Sequence, residues 1–178
     1  MLGGRHMLLG APLMFAGDSA LVVNYVNGRW QCGSDNIFLA QTRRARWLLY
    51  AVEHGWKYEP FTSDEPLLVQ RPRAYNAYAD ACCNFVLDTE GFVQHFWDLP
   101  FDPRACPVHV SFDGASRGNP GPAACGAVVQ VHHNDAWHLA AAFGCCLGHA
   151  TNNVAEFEGL IASVQLLVAW SARSGIVV

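Results

Sequence analysis

The feature that most constrains the fold is an acidic residue at the junction of a strand pattern and a long Gly- and Pro-rich stretch. Residues 107–112 predict a strand, and Asp113 follows it directly. Residues 114–122 then contain three glycines and two prolines, which is more than an ordinary turn requires. A carboxylate at a strand end has little side-chain freedom, as a metal ligand should. The pattern therefore predicts a functional carboxylate at Asp113.

A second acid, Glu156, lies in the first turns of the longest helical pattern, residues 151–174. Helical periodicity places Glu156 with Asn153 and Leu160, near the core side. A charge there is costly unless it is paired or binds a metal. An acid that stabilises the helix dipole is the alternative explanation, and the preceding sequence Thr151, Asn152 and Asn153 favours the functional one.

Two further acids lie early in the chain. Asp18 follows the apolar residues 13–16 and begins a helical pattern over residues 18–29, where it could act as an N-cap. Asp80 falls in the first turn of a helix predicted over residues 76–87. Each acid is ambiguous alone. Four acids, each at a strand end or a helix start, together predict one metal-binding site.

These segments together resemble type 1 ribonuclease H, with the two halves in reversed order. Residues 107–178 resemble the N-terminal half of the family and residues 1–90 the C-terminal half, with residues 91–106 as a connector that contains aromatic residues and prolines. The resemblance implies an α/β fold, a five-stranded mixed sheet flanked by helices. We expect one circularly permuted domain over residues 1–178.

The resemblance also implies a reaction and a site. The family hydrolyses the RNA strand of RNA–DNA hybrids with two Mg²⁺ ions, or Mn²⁺ in their place, about 4 Å apart. Metal ligation is carried over to Asp113, Glu156 and Asp18, with Asp80 as a more peripheral ligand. Contacts to RNA, whose 2′-hydroxyl distinguishes it from DNA, are carried over to Ser116, Arg117, Gly118, Asn119, Thr151, Asn152, Asn153 and Asn76.

The chain departs from the family pattern in two places. Residues 69–73 correspond to the loop that carries a histidine in some members, and they contain none. The basic protrusion of some members also has no counterpart, and Lys57 is the only lysine. An alternative function is therefore a catalytically silent nucleic-acid-binding or scaffold fragment that spans the junction of tandem ribonuclease H domains.

Two segments compete for the fourth strand of the sheet, residues 12–17 and residues 176–178. We expect the first to occupy it, because it is continuous with Asp18, and the second to be displaced. Each half alone would expose a large apolar face and open sheet edges. We therefore expect a monomer in which the halves pair, with a domain-swapped dimer as the alternative.

Composition limits the remaining classes. The 178 residues are 52% hydrophobic, which suits one domain with a sizeable core. A net charge of −4 argues against a generally basic nucleic-acid-binding surface, although arginines cluster at residues 43–46 and at Arg71 and Arg73. The adjacent cysteine pairs lack zinc-ligand spacing, which favours reduced thiols in an intracellular protein that is not secreted. No apolar run reaches the roughly 20 residues of a membrane span.

Overall fold

The computed structural model describes residues 12–34, 36–55 and 66–176. Within these ranges the chain forms an α/β structure in which one sheet has helices on both faces. Its elements in chain order are β1 (Leu13–Gly17), α1 (Ala20–Val26), α2 (Leu39–Gly55), β2 (Leu68–Gln70), α3 (Ala77–Thr89), β3 (Phe92–Phe96), β4 (Val108–Ser116), β5 (Gly121–His133), β6 (Ala136–Ala150) and α4 (Asn152–Arg173). Short 3₁₀ turns lie at Arg73–Tyr75 and Pro103–Ala105.

The sheet is mixed, with the strand order β2-β1-β4-β5-β6-β3. Strand β1 runs parallel to both β2 and β4, whereas the neighbours from β4 to β3 are all antiparallel. This sheet with flanking helices is the α/β, ribonuclease H-like architecture that the sequence predicts. The described residues form six strands and not the five that were expected.

The sixth strand corrects the prediction of a connector over residues 91–106. Strand β3 lies within that segment and pairs antiparallel with β6, from Phe92 opposite Cys145 to Phe96 opposite Ala141. Its sequence gives no clear alternation, because it is an edge strand with side chains that are exposed or only half-buried. Phe96 packs against the core. Phe92 and Phe96 therefore belong to the sheet edge, whereas Phe101 stacks on His133 of β5.

Strand β1 occupies the position beside β4, with Leu13 opposite Val108 and Ala16 opposite Ser111. This confirms that residues 12–17 fill the strand position next to Asp113, although the two segments are about 95 residues apart in sequence. Ile176 is buried but belongs to no strand. Residues 177–178 lie outside the described residues, and the circular permutation itself stays a prediction.

The core lies mainly between α4 and the sheet. Helix α4 packs on β4 and β5, α1 and α2 pack against α4, and α3 covers the other face of the sheet. Helix α4 is long and apolar enough to cross a membrane, but most of it is buried within the protein. Its buried side chains explain its hydropathy as that of a core helix.

Helix α2 buries only part of the face that its sequence predicts. The pattern over residues 36–54 predicts a helix that buries Ile37, Leu39, Ala40, Trp47, Leu48 and Val52. Val52 is buried, whereas Ile37 and Trp47 are 75% and 67% exposed. The buried residues recur at intervals of three and four, which is one stripe of a helix, whereas those predicted follow no single stripe. The buried stripe consists of Phe38, Thr42, Ala45, Leu49 and Val52.

All seven cysteines are unbonded. Cys125 and Cys145 lie opposite each other on β5 and β6, with their sulfur atoms 3.5 Å apart. The reducing compartment and the intracellular location stay predictions.

Candidate functional site

The sequence predicts Asp113 at the end of a strand, and this is wrong. Asp113 lies inside the strand. Strand β4 continues to Ser116, and Asp113 pairs opposite Gly126 of β5. The Gly-rich residues after Asp113 extend the strand because the antiparallel β5 continues alongside them. Asp113 is 5% exposed. Its backbone is therefore held by the pairing with β5, which restricts its position further than a strand end would.

Three of the four predicted acids meet. Asp18, Asp113 and Glu156 each contribute a carboxylate oxygen, and these oxygens lie within 4.8 Å of one another. The register of β1 with β4 explains the first pair, since Ala16 lies opposite Ser111 and two further residues bring Asp18 level with Asp113. Glu156 reaches the pair from the first turns of α4.

The capping role considered for Asp18 falls to its neighbour. Ser19 is the N-cap of α1, and its hydroxyl accepts a hydrogen bond of 3.4 Å from the Val22 amide. Capping therefore leaves the Asp18 carboxylate available to the acidic cluster.

The cluster is electrostatically costly without a cation. Burial, followed by the charges of Asp18 and Asp80, raises the pKa of Asp113 to about 7. Burial, followed by the charge of Asp113, raises the pKa of Glu156 to about 9. The buried Oε2 of Glu156 has no hydrogen-bond partner among the described residues. Three converging carboxylates and an unpartnered buried oxygen fit a hard divalent cation such as Mg²⁺.

Two glycines that sequence analysis missed permit this convergence. A Cβ on Gly114 would lie 2.1 Å from the backbone nitrogen of Glu156, and a Cβ on Gly159 would lie 2.4 Å from the carbonyl oxygen of Asp113. Helix α4 therefore approaches β4 more closely than any side chain would allow. The available signal is a glycine inside a strand pattern and another inside an apolar helix, both of which indicate close packing.

Asn76 was predicted to contact substrate, and that contact stays a prediction. It is 3% exposed, and its Nδ2 donates to the Phe112 carbonyl at 2.8 Å and to Asp113 Oδ1 at 3.4 Å. Asn76 therefore positions Asp113 from the start of α3. Sequence placed the residue correctly near the site but could not distinguish a buried donor from an exposed one.

Removing this donor should destabilise the fold. We expect Asn76→Ala to lower the free energy of unfolding by about 1–3 kcal/mol, because the buried oxygens it serves lose their partner. Urea denaturation measures the change. Asn84→Ala is the matched control, since Asn84 is exposed and donates to Asp80 at the surface. Equal losses in the two variants would contradict the positioning role.

Asp80 lies outside the group of three. Its carboxylate pairs with the Arg73 guanidinium and accepts a hydrogen bond of 2.9 Å from Asn84. Its charge nevertheless contributes to the raised pKa of Asp113, whereas Arg73 acts in the opposite direction. The role of Asp80 as a fourth ligand stays a prediction.

The predicted substrate residues of the β4–β5 turn are exposed or half-buried. Arg117 pairs with Asp88 and donates to the Leu87 carbonyl, which fixes the turn against the end of α3. Gly118 has a φ of +92° and thus needs to be glycine. The Ser116 hydroxyl oxygen is buried without a partner among the described residues. Contact of these residues with a substrate stays a prediction.

The predicted substrate residues at the start of α4 partly serve the helix itself. The Thr151 hydroxyl accepts from the Val154 amide at 3.3 Å and caps α4. Asn119 Oδ1 accepts from the Asn152 amide at 3.1 Å, which ties the β4–β5 turn to the helix. Asn153 is half-buried beside them. These residues therefore form one continuous surface near Glu156.

The chain is similar in sequence to ribonuclease H1 proteins over about a third of its length. It is 50% identical over 58 residues to ribonuclease HI of Halobacterium salinarum, a match that covers 33% of this chain and 28% of that protein. It is 44% identical over 70 residues to the bifunctional protein Rv2228c of Mycobacterium tuberculosis, which covers 39% of this chain and 19% of that protein. No family model matches the chain.

Solved structures give the same relatives. Ribonuclease H1 of Halobacterium salinarum is 47% identical with a TM-score of 0.30, and the match covers 38% of this chain and 46% of that one. The N-terminal ribonuclease H domain of Rv2228c, solved as a fusion with maltose-binding protein, is 44% identical with a TM-score of 0.30 and coverage of 38% and 47%. The chain thus spans less than half of each relative that it matches.

Proposed function

We propose that this protein is a divalent-metal-dependent endonuclease that hydrolyses the RNA strand of RNA–DNA hybrids. The observation that carries the proposal is the convergence of Asp18, Asp113 and Glu156, whose carboxylate oxygens lie within 4.8 Å of one another. The partial sequence similarity to ribonuclease H proteins supports the choice of reaction. A solved relative, LC11-RNase H1, was crystallised with an RNA/DNA hybrid, and it is 36% identical with a TM-score of 0.29, covering 37% of this chain and 46% of that one.

The three carboxylates would hold the ions, with Asp80 as a fourth ligand. Two Mg²⁺ ions, or Mn²⁺ in their place, would supply activation of water and stabilisation of the leaving 3′-oxygen. The chain's own contribution is to hold the ligands in place. Asn76 orients Asp113, the close approach of α4 positions Glu156, and burial of both acids excludes competing water.

The hybrid would lie across the surface formed by the β4–β5 turn and the start of α4. Asn119, Asn152 and Asn153 bring polar groups to this surface, and the side-chain amide and backbone groups suit recognition of a 2′-hydroxyl. Residues 116–118 add backbone groups beside them. Because Arg117 is paired with Asp88, phosphate contact by Arg117 would compete with that ion pair.

A labelled RNA–DNA hybrid with Mg²⁺ tests the proposal. We expect cleavage of the RNA strand, and we expect Asp113→Asn to lower the rate at least about a hundredfold, since metal sites lose comparable activity even when ligand-supporting groups are removed. Asp135→Asn is the matched control, because Asp135 lies exposed in the β5–β6 turn at a φ of +58°, where asparagine is well tolerated.

Undiminished cleavage by Asp113→Asn would refute the assignment. Binding to the hybrid with no metal-dependent turnover in the unmodified protein would instead support the silent scaffold alternative. Sedimentation of the same preparation tests the further proposal of a single permuted domain, for which we expect a monomer. A dimer that persists on dilution would favour domain swapping.

A further inference from the structure

A second concave site lies on the face of the sheet opposite α4. Its floor is a row of three side chains on neighbouring strands, since Met14 lies opposite His109 and His109 lies opposite Gln130. These residues alternate with buried residues of the core beneath α4, such as Val108 and Val110. The cavity measures about 460 Å³, a size typical of small-ligand sites.

The walls of the cavity bring aromatic rings and a guanidinium to this floor. Arg71 and Tyr75 come from the segment between β2 and α3, and Trp137 comes from the start of β6. Tyr75 is 74% exposed and Trp137 44% exposed. The Arg71 guanidinium lies 3.7 Å from the Met14 sulfur, and the His109 ring lies 5.7 Å from Trp137. The described residues that line the cavity include no carboxylate.

This combination has a specific chemistry. Exposed aromatic rings stack on nucleobases of any sequence, and a guanidinium binds phosphate through paired hydrogen bonds. On the floor, the side chains of Gln130 and His109 hydrogen-bond each other, and their remaining polar atoms suit contact with the edge of a base. Carboxylates would repel a phosphate, and the described residues that line the cavity include none. The cavity therefore suits a nucleotide better than a metal ion or an apolar ligand.

The cavity adjoins the acidic cluster. His109 and Asp113 lie four residues apart on the same face of β4, which corresponds to about 13 Å along the strand. The segment that supplies Arg71 and Tyr75 also supplies Arg73, which pairs with Asp80, and Asn76, which binds Asp113. Ser111, which lies between His109 and Asp113 on this face, is buried, so a nucleic acid strand that leaves the carboxylates would reach the cavity over the segment that supplies Arg71 and Tyr75.

We propose that this cavity binds an unpaired nucleotide of a single strand that extends from the acidic cluster. The base stacks against Trp137 and Tyr75, and the phosphate contacts Arg71. This inference rests on the proposed function, since the hybrid supplies the strand. It adds a specificity that the hydrolytic site alone would lack, namely a preference for hybrids with a single-stranded RNA overhang over blunt ones.

Fluorescence anisotropy in EDTA, where no hydrolysis occurs, tests the preference. The probes are one labelled hybrid prepared blunt and the same hybrid with a short RNA overhang at either end. We expect Trp137→Ala to bind an overhang hybrid roughly tenfold more weakly, the effect of losing one base stack, and to bind the blunt hybrid unchanged. Trp137→Phe should retain most of the affinity. Trp47→Ala is the matched control, because Trp47 is exposed on α2, which packs against α4.

Two further measurements locate the nucleotide. Arg71→Ala should reduce the salt dependence of overhang binding by about 0.7 in the slope of log affinity against log salt, one phosphate contact to a single strand. A photoreactive uridine in the overhang should crosslink to Trp137 or Tyr75. Competition by free uridine monophosphate would show that the cavity binds the nucleotide itself. Competition by an RNA oligonucleotide but not by the monophosphate would show that binding needs a continuous strand. Either result supports the site.

Equal affinity of the unmodified protein for blunt and overhang hybrids would overturn the inference, as would equal weakening of both by Trp137→Ala. These outcomes are separate from those of the cleavage assay. If the protein cleaves no RNA but prefers the overhang, the nucleotide site is supported and the nuclease function is contradicted. If it cleaves RNA but binds both hybrids equally, only the nucleotide site is contradicted.

Discussion

Gly114→Ala should destabilise the protein by at least about 3 kcal/mol, because a methyl group there has no space to occupy. Its carbon would lie 2.1 Å from backbone atoms of both Ala155 and Glu156. Backbone cannot move aside as the end of a side chain can, so α4 must shift away from β4. That shift would carry Glu156 away from Asp113 and weaken metal binding together with stability. Urea denaturation and Mg²⁺ titration of the same preparation measure both effects.

Gly33→Ala is the matched control for this substitution. A Cβ at Gly33 has nothing within 4 Å, so we expect a change within about 0.5 kcal/mol, as for surface substitutions in general. Gly159→Ala should resemble Gly114→Ala, since its carbon would meet the Asp113 carbonyl from the other side of the same contact. A variant at Gly114 as stable as the one at Gly33 would contradict the close approach of helix and strand.

Sequence predicted the residues of the acidic cluster because their positions follow from strand and helix patterns. Asp18 and Asp113 each follow a segment that the sequence predicts to be a strand, and parallel strands that share a register bring equivalent positions together. Glu156 could be assigned because a charge on the core side of an apolar helix is costly unless it is paired or binds a metal. These inferences depend on local periodicity, which a single sequence displays.

The supporting residues could not be predicted in the same way. The burial of Asn76 depends on how α3 sits over β4, and the pairing of Arg73 with Asp80 depends on the turn between them. Strand β3 was missed because an edge strand buries little and so shows no alternation. Each of these features is decided by tertiary contacts and not by local sequence pattern.

Without a cation, the free energy of unfolding should fall as pH rises from about 4 to 9. Burial and neighbouring carboxylates raise the pKa of Asp113 to about 7 and that of Glu156 to about 9, above the ordinary values of 3.8 and 4.5. The folded protein therefore binds more protons than the unfolded chain between the ordinary and the raised pKa values. Stability then decreases with pH across that range. Thermal unfolding in EDTA measures the decrease.

Mg²⁺ should oppose the decrease of stability with pH. The ion replaces the protons that Asp113 and Glu156 otherwise retain, so its affinity and its stabilising effect should both increase with pH. We expect saturating Mg²⁺ to raise the melting temperature more at pH 8.5 than at pH 6. A rise that is equal at the two pH values would indicate an ion bound elsewhere.

Asp113→Asn isolates the contribution of the cluster from that of other titrating groups. Burial lowers the pKa of His109, and the hydrogen bond between Cys125 and Cys145 lowers the pKa of Cys145, so both add slopes of the opposite sign. These slopes are common to the two proteins and cancel in the difference between them.

The variant loses one of three mutually repelling charges, so it should be more stable than the unmodified protein in EDTA at pH 8.5 and should gain little from Mg²⁺. Carboxylates that are held together to bind a cation are expected to lower the stability of the metal-free protein. Metal binding is expected to restore that stability. A variant less stable than the unmodified protein in EDTA would instead mark Asp113 as a structural residue.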